Sequence, residues 1–408
     1  MFLQLNGASV PPSLRGPVLL DGIGLPRYWA AVWSAMSSSK LAVSTHTKKL
    51  RYLENLYQHA AGLGGSPNAL DDALGTLNDE ALADILESWF VSIRNQSVVT
   101  GADEKRWQTG LEFILSVVAW ISKSEANDDR MRRIEARLHR LAALYSQLHV
   151  RRDNSVDTVR SLPASTVEAL YLLLDPDSRH NPFTREPTRW RIFVVFVLML
   201  HQGLRRGEAL LLPADAVKSA YDRGQHRMRY WINVEQNEYE DSDVDPRYSK
   251  PSIKNVHSLR QIPVSELTAR VVQRYVENYR GRPSHSYLLN SQFDTPLSTE
   301  TLTKAFMLVS RSLPDDVLSE LKDRTGKDAI TPHDLRHTSA AMRLNQLLER
   351  GDPMDEALQK MRVFFGWSRT SSMPSRYARA VFEDRLAGVW NDAFDDRVAL
   401  LRALPLRG

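Results

Sequence analysis

Residues 331–337 of the chain read TPHDLRH. Thr331 followed by Pro332 predicts the first turn of a helix. Threonine caps free backbone N–H groups, and proline has no N–H that would need a partner. His333 and Arg336 are three residues apart, so they share one helix face. In a first turn, where N–H groups and the helix dipole attract anions, this pair indicates a phosphate clamp.

Two other interpretations of this stretch remain open on its residues alone. His333 and His337 are four residues apart, a spacing that also suits a metal ion. The zinc-protease pattern needs glutamate after the first histidine, however, and this chain has Asp334. We therefore predict no metal site. A capped surface helix without a function is the simpler alternative, and it would be preferred if the segment stood alone.

Three further segments carry residues of related chemistry: GLRRGEALLL at 203–212, FFGW at 364–367 and PSRYAR at 374–379. Each has an ordinary explanation by itself. The first is typical of a surface turn with an Arg–Glu ion pair, and the second of a helix end packed on the core. An isolated tyrosine such as Tyr377 is more often structural than nucleophilic.

The order of these segments is more specific than any one of them. An Arg, a Lys, a His-x-x-Arg pair, a His or Trp and a Tyr follow one another over about 170 residues. This order resembles the catalytic domain of the tyrosine recombinases, also called phage integrases. The resemblance covers roughly Leu162 to Ala380, and HDLRH is its most specific motif. The segment THTKKLRYLENLY (45–57) is more distantly similar to the core-binding domain of that family.

The resemblance implies a role for each matching residue. Arg205 matches the first catalytic arginine, since the family places it directly after Gly-Leu, and Glu208 matches the acid that supports it. His333 and Arg336 match the His-x-x-Arg pair. Tyr377 matches the nucleophile that attacks DNA.

Trp367 and a hairpin lysine complete the implied catalytic set. Trp367 takes the place usually held by histidine after Leu-Gly, where tryptophan is a known variant. The sequence KNVHSLRQIP at 254–263 resembles the family's Lys-Thr-x-x-Ser-x-Arg-x-Val-Pro stretch. Lys254 is therefore the expected catalytic lysine and Lys250 the alternative. Phe365 in place of leucine, a Trp-to-Tyr spacing one residue longer than usual and an acidic insertion in the hairpin depart from the family pattern.

The implied reaction is attack by Tyr377 on a DNA phosphodiester, which yields a 3′-phosphotyrosine and a free 5′-hydroxyl. Arg205 and Arg336 would hold the phosphate oxygens with their planar forks, so no cofactor is expected. A tyrosine with a pKa of roughly 10 needs help to attack. The departing 5′-alkoxide needs a general acid, for which Lys254 is the candidate.

Composition limits the alternatives. The chain has 408 residues, 42% hydrophobic and 25% charged, as in an ordinary globular protein of two or three domains. It has no cysteine, which excludes disulfides and cysteine nucleophiles. The net charge is only +4, so a basic surface must come from local clustering. The most apolar stretch, 192–200, is far shorter than the roughly 20 residues of a membrane-spanning helix. The bacterial cytoplasm or nucleoid is the expected location.

The predicted fold class is mainly α with a small antiparallel β-sheet in the C-terminal domain. Apolar spacing predicts helices from Trp29 onward, after the cap Ser44-Thr45, and over 76–93 and 107–121. It predicts strands at Met228–Val234 and Arg260–Val264. The expected organisation is an N-terminal arm (1–24), a helical core-binding domain (25–128), a basic linker (129–160), the catalytic domain (161–385) and a helical tail (386–408).

Basic residues cluster in two places outside the catalytic motifs. The candidates for DNA contact are Lys48, Lys49, Arg51, Arg132, Arg133, Arg151 and Arg152. The linker arginines suit a solvated helix face as well as a segment lying on a phosphate backbone. The expected partners are double-stranded DNA with recombination sites, further copies of the chain in a tetramer on paired sites, and an accessory DNA-bending protein.

The expected function is site-specific recombination for the integration or excision of a mobile element. One alternative is a DNA-binding accessory protein on a recombinase fold, without cleavage. Another is a type IB topoisomerase-like enzyme, which would reseal only the original strand. The helical tail is expected to pack either on its own domain or on a neighbouring subunit.

Overall fold

The computed structural model describes residues 2–5, 16–37, 41, 43–124, 136–137, 139–140, 143, 161–239, 245–253, 256–379 and 381. The chain forms two compact units, Met1–Ser155 and Val156–Gly408. The boundary between them falls within the segment predicted as a basic linker.

The first unit is a helical bundle with a small sheet at its start. Strands β1 (Phe2–Leu5) and β2 (Gly16–Leu19) pair antiparallel, with Leu3 opposite Val18. Part of the predicted N-terminal arm is therefore a two-stranded sheet, and Leu19 belongs to the core of this unit. The helices are α1 (Tyr28–Ser37), α2 (Val43–Gly64), α3 (Ala69–Gly75), α4 (Asp79–Arg94) and α5 (Gly101–Ser124).

Side-chain caps explain where two of these helices begin. The Asn78 side chain accepts a hydrogen bond from the Ala81 N–H at 3.1 Å, so α4 begins three residues after the predicted start. The Asp103 carboxylate accepts from the Thr100 N–H at 2.9 Å, and α5 begins six residues before the predicted start. Trp89 and Trp107 meet at 5.7 Å between ring centroids in the core that these helices enclose.

The second unit is mainly helical around a three-stranded antiparallel sheet, which confirms the predicted fold class. The sheet has the order β3-β4-β5, and Ile232 of β4 pairs with Val217 of β3 and Ile262 of β5. The strands are β3 (Val217–Asp222), β4 (Arg227–Val234) and β5 (Arg260–Val264). The helices are α6 (Ala164–Leu174), α7 (Glu186–His201), α8 (Arg206–Leu211), α9 (Glu266–Asn278), α10 (Thr299–Arg311), α11 (Asp315–Thr325), α12 (Pro332–Glu349) and α13 (Met354–Phe365).

Helix α7 runs through the core of the second unit and sets the position of the residues that follow it. Residues 194–200 are all buried, as the apolar stretch predicted. Gly203 has a φ of +59°, which lets the chain turn sharply between α7 and α8. Helix α12 packs against α7, and residues 373–379 are again helical. In the described part of the chain, no helix is both long and apolar enough to cross a membrane.

Candidate active site

The carboxylate of Glu208 lies among three guanidinium groups in the second unit. Arg260 donates to both carboxylate oxygens, at 3.1 and 3.0 Å, and Arg205 Nη1 donates to Oε1 at 2.5 Å. Arg336 Nη1 lies 3.7 Å from Oε2. Burial of Glu208 opposes ionisation, but the hydrogen bonds and charge of Arg260, with the charges of Arg336 and Arg205, lower its pKa below the ordinary value. Glu208 is therefore an anion that holds three cations together.

Arg205 is the most open of these three arginines. It precedes the first turn of α8, and its backbone N–H donates to Glu208 Oε2 at 2.9 Å. Its guanidinium also donates to Ser258 Oγ at 2.9 Å and to the Gly366 carbonyl at 3.2 Å. The side chain is 19% exposed, against 5% for Arg260. Arg205 thus combines a fixed orientation with access from solvent.

Arg336 is held deeper, in the first turns of α12. Asp334 accepts hydrogen bonds from the N–H and hydroxyl of Thr331, which is the capped start that the sequence predicted. The Arg336 guanidinium donates to the carbonyls of Gly203 and Phe365. Burial and then the charge of Arg205 lower the pKa of Arg336 to about 9, so the side chain remains a cation at neutral pH.

Tyr377 lies under the surface and is hydrogen-bonded to His337. The bond joins the tyrosine Oη and the histidine Nδ1, and Tyr377 is 1% exposed. Burial raises the pKa of the Tyr377 hydroxyl above its ordinary value. Burial and then the charge of the neighbouring His333 lower the pKa of His337 to about 4, so this ring is neutral at pH 7. A neutral imidazole without a proton on Nδ1 can accept the hydroxyl proton of Tyr377.

His333 lies beside His337, at the solvent side of the same helix. The two rings meet edge to face with centroids 4.2 Å apart. Burial and then the charge of Arg336 lower the pKa of His333 below its ordinary value. His333 and Arg336 therefore lie within one turn of His337 on α12, and their role as a phosphate clamp stays a prediction.

Three aromatic rings stack in a row at the end of α13. Trp367 is nearly parallel to Phe365, with centroids 4.9 Å apart, and to Tyr377 at 5.4 Å. Gly366 between them has a φ of +59°, which ends α13 and turns the chain. Trp367 thereby fixes the plane of the Tyr377 ring.

The structure brings together the six predicted residues Arg205, Glu208, His333, Arg336, Trp367 and Tyr377. Lys254 lies outside the described residues, and its role stays a prediction. Lys250 is described and partly exposed.

Four residues at the site had no role assigned from sequence. Ser258 and Arg260 lie within KNVHSLRQIP (254–263), the stretch that indicates the catalytic lysine, so the same motif contains the signal for them. The sequence offers His337 only as a metal ligand, although it contacts Tyr377. Lys327, which forms an ion pair with Asp334 at the start of α12, carries no sequence signal.

Three of the predicted DNA contacts lie on α2. Lys48 and Arg51 are exposed and one turn apart. Lys49 forms an ion pair with Glu112 at 2.9 Å, so a carboxylate already balances its charge. The remaining candidates, Arg132, Arg133, Arg151 and Arg152, lie outside the described residues.

Two arginines anchored on one carboxylate, with a histidine and a tyrosine beside them, form an arrangement that can bind a phosphate group. The model of the phage integrase family matches residues 164–384, more than half of the chain. This chain therefore belongs to the phage integrase family, which confirms the resemblance found in its motifs.

Solved structures with distant similarity include two recombinases. XerH site-specific recombinase, bound to a palindromic difH substrate in a post-cleavage complex, shares 14% identity with a TM-score of 0.43, over 77% of this chain and 72% of that one. XerA recombinase shares 15% identity with a TM-score of 0.34, over 83% of this chain and 98% of that one. A comparison with curated proteins found no match.

Proposed function

We propose that this protein is a site-specific DNA recombinase that cuts and rejoins DNA strands through a bond between Tyr377 and a 3′-phosphate. The observation that carries this proposal is the convergence of Arg205, Arg336 and Tyr377. Glu208 links the two arginines, and helix α12 carries both Arg336 and the histidine that binds the tyrosine.

The proposed step is a transesterification. The Tyr377 Oη attacks phosphorus, its proton passes to His337 Nδ1, and the bond from phosphorus to the 5′ oxygen breaks. Arg205 and Arg336 stabilise the negative charge that builds on the non-bridging oxygens, since preorganised cations are the largest contribution to catalysis of this kind. Lys254 is proposed to protonate the leaving 5′ oxygen. Attack by a 5′-hydroxyl on the phosphotyrosine reverses the step without ATP.

The burial of Tyr377 adds a requirement to this mechanism. A hydroxyl on a side chain that is 1% exposed does not reach a DNA phosphate. We therefore propose that residues 373–379 shift outward when DNA binds, which separates Tyr377 from the Trp367 ring. The stack with Trp367 holds the nucleophile in place until then, and the hydroxyl of Tyr377 stays within reach of His337, which takes its proton.

The partners and the biological role belong to the same proposal. The proposed partners are double-stranded DNA with specific recombination sites, further copies of the chain in a tetramer on paired sites, and an accessory DNA-bending protein. Membership of the phage integrase family supports them. Integration or excision of a mobile element is the role that we propose.

Covalent trapping on DNA tests the proposed chemistry. Wild type, Tyr377→Phe and the control Tyr248→Phe are incubated in EDTA with nicked duplexes that carry candidate element ends or random sequence. Tyr248 is a suitable control because it is 87% exposed. We expect a denaturation-resistant adduct with wild type and Tyr248→Phe, and none with Tyr377→Phe.

Two results would contradict the proposal. An adduct that persists in Tyr377→Phe would assign the nucleophile to another residue. Binding to DNA with no adduct on any duplex would favour a DNA-binding protein that does not cleave. If adducts form, joining of strands from two different duplexes distinguishes a recombinase from a topoisomerase-like enzyme.

A further inference from the structure

A cavity lined by several charged and polar side chains lies in the second unit, away from the candidate active site. Its volume is about 220 Å³, and it opens at the N-terminal end of α7, beside the C-terminal end of α9. Arg205 follows the opposite end of α7, whose 16 residues span about 24 Å. The residues of the proposed recombination chemistry do not line this cavity.

Arg191 is the central feature of the cavity. It is 7% exposed and lines the cavity wall. Its Nη1 donates to the Asn290 carbonyl at 2.6 Å and its Nη2 to Thr188 Oγ1 at 3.2 Å. Within the described ranges, no carboxylate forms an ion pair with Arg191, and its Nε has no acceptor. A buried cation held only by neutral oxygens is costly, so an anion bound beside such a group would stabilise it.

Other groups around Arg191 strengthen the positive character of the cavity. Arg280 lines it too, and among the described residues its guanidinium binds backbone carbonyls alone, those of His285 and Tyr287. Arg185 stands exposed at the rim, directly before the first turn of α7. The first-turn N–H groups of that helix add a partial positive charge.

Neutral donors and one acid complete the lining. The Tyr275 hydroxyl accepts from the Asn290 N–H at 3.4 Å, which leaves its own proton for an acceptor in the cavity. Asp294 is the acidic residue of the lining, and its carboxylate accepts from Asn290 Nδ2 at 2.9 Å. The lining therefore includes three arginines and one carboxylate, and that carboxylate already accepts a hydrogen bond.

We propose that this cavity is a binding site for a small free oxyanion of the phosphate type, held by Arg191 and Arg185. The volume favours this class of ligand. It equals the space of roughly seven water molecules and is below the roughly 300 Å³ at which pockets for drug-sized ligands begin. A recessed guanidinium also suits a free anion better than the phosphates of a DNA backbone. The bound anion would tie the start of α7 to the loop that follows α9.

Inorganic phosphate is the probe for this site. The full-length protein is titrated with phosphate at constant ionic strength, with chloride as the balancing anion, and ³¹P line width and thermal unfolding are recorded. Arg191→Gln removes the buried cation. Arg185→Gln removes an exposed cation and leaves the core intact, so the test does not depend on whether Arg191→Gln folds. Arg223→Gln, an exposed arginine in the β3–β4 turn, is the matched control.

We expect phosphate to broaden the ³¹P line and raise the unfolding temperature of wild type and Arg223→Gln. The apparent Kd should rise about tenfold or more in Arg185→Gln and Arg191→Gln, since each loses a charged hydrogen-bond donor. Equal responses in all four proteins, or no response in wild type, would overturn the proposal. The proposal would also be overturned if Arg185→Gln lost its salt-dependent binding to duplex DNA but kept its affinity for free phosphate. DNA would then be the ligand of this residue.

Discussion

Arg260 and Glu208 form a two-pronged buried ion pair, in which both guanidinium Nη atoms donate to the carboxylate, at 3.1 and 3.0 Å. Arg260 also donates to the carbonyls of Phe364 and Ser258. Glu208 in turn holds Arg205. Arg260 therefore links β5 to α13 and indirectly sets the direction of the arginine that is open to solvent.

Loss of the Glu208 charge should destabilise the protein strongly. The substitution Glu208→Gln removes the anion that balances the charges of Arg205, Arg260 and Arg336. Removal of one partner from a buried ion pair costs about 3–5 kcal/mol. Urea unfolding measures the free energy. Glu266→Gln is the control, because Glu266 pairs with Arg270 on the exposed face of α9 and should contribute less than about 1 kcal/mol. Equal losses in the two variants would show that the buried cluster does not stabilise the fold.

The low pKa of His337 predicts a loss of stability in acid. Its value of about 4 in the folded protein lies below the ordinary 6.5. Between those values the unfolded chain binds a proton that the folded protein excludes, so falling pH favours unfolding by at most about 3 kcal/mol. The contribution is complete above pH 6.5 and is lost as the pH falls to about 4.

The variant His337→Gln tests this pH dependence. Its free energy of unfolding should vary less between neutral pH and pH 4 than that of wild type, because glutamine does not titrate. His180→Gln, which replaces an exposed histidine, should keep the wild-type profile. Parallel profiles for wild type and His337→Gln would contradict the assignment of the acid sensitivity to this residue.

Two glycines that end helices predict different costs for the same substitution. Gly366 and Gly326 both have positive φ, +59° and +71°, so an alanine at either position is strained by about 1–2 kcal/mol. A Cβ at Gly326 meets nothing within 4 Å, whereas one at Gly366 lies 2.9 Å from the His257 carbonyl oxygen and the Ser258 Cα. Gly366→Ala should therefore lower the free energy of unfolding by about 1–3 kcal/mol more than Gly326→Ala does.

Because Ser258 and the Gly366 carbonyl both bind Arg205, the same substitution should reach the active site. We expect Gly366→Ala to reduce adduct formation on nicked DNA, and Gly326→Ala to leave it near the wild-type level. Chemical unfolding and the trapping assay give the two readouts. Equal stability of the two variants would argue against the close approach of α13 to residues 257–258.

A similar pair of glycines tests the packing of the first unit. A Cβ at Gly110 would lie 2.4 Å from the Trp89 ring, so Gly110→Ala should destabilise the protein by about 1–3 kcal/mol. A Cβ at Gly62 in α2 meets nothing within 4 Å, and Gly62→Ala should stabilise it by about 0.5–1 kcal/mol, since alanine favours helix. Thermal unfolding distinguishes the two signs. Stabilisation by Gly110→Ala would mean that α5 does not pack closely on Trp89.

The basic residues of α2 predict a graded effect on DNA binding. Lys48→Gln and Arg51→Gln should each reduce the slope of log affinity against log salt by about 0.9 if each residue neutralises one phosphate. Lys49→Gln should leave the slope nearly unchanged, because Glu112 already pairs with Lys49. Fluorescence anisotropy with labelled duplex DNA over a range of salt concentrations gives the slopes. Equal slopes in all three variants and wild type would exclude this face of α2 from the DNA interface.

The elements with strong local signals were predictable from the sequence. The Thr-Pro start of α12, the buried α7 and the strand β5 were all located, because capping, apolar runs and β-branched residues act over a few neighbouring positions. Elements with weak local signals were missed. The strand β3 has mixed polarity and is partly exposed along its length, and the pairing of β1 with β2 joins segments whose apolar residues show no period.

The sequence by itself determined the candidate catalytic residues and their order, because those residue types and spacings are sufficient to recognise the family. Only the tertiary structure decided how they are held. Arg205 binds the Gly366 carbonyl, 161 positions away, and His337 binds Tyr377, 40 positions away. Arg191 faces its cavity because α7 packs beside the loop that contains Asn290. Local backbone preferences do not encode such pairings. The pairings arise only when distant segments pack together and their buried polar groups must bind one another.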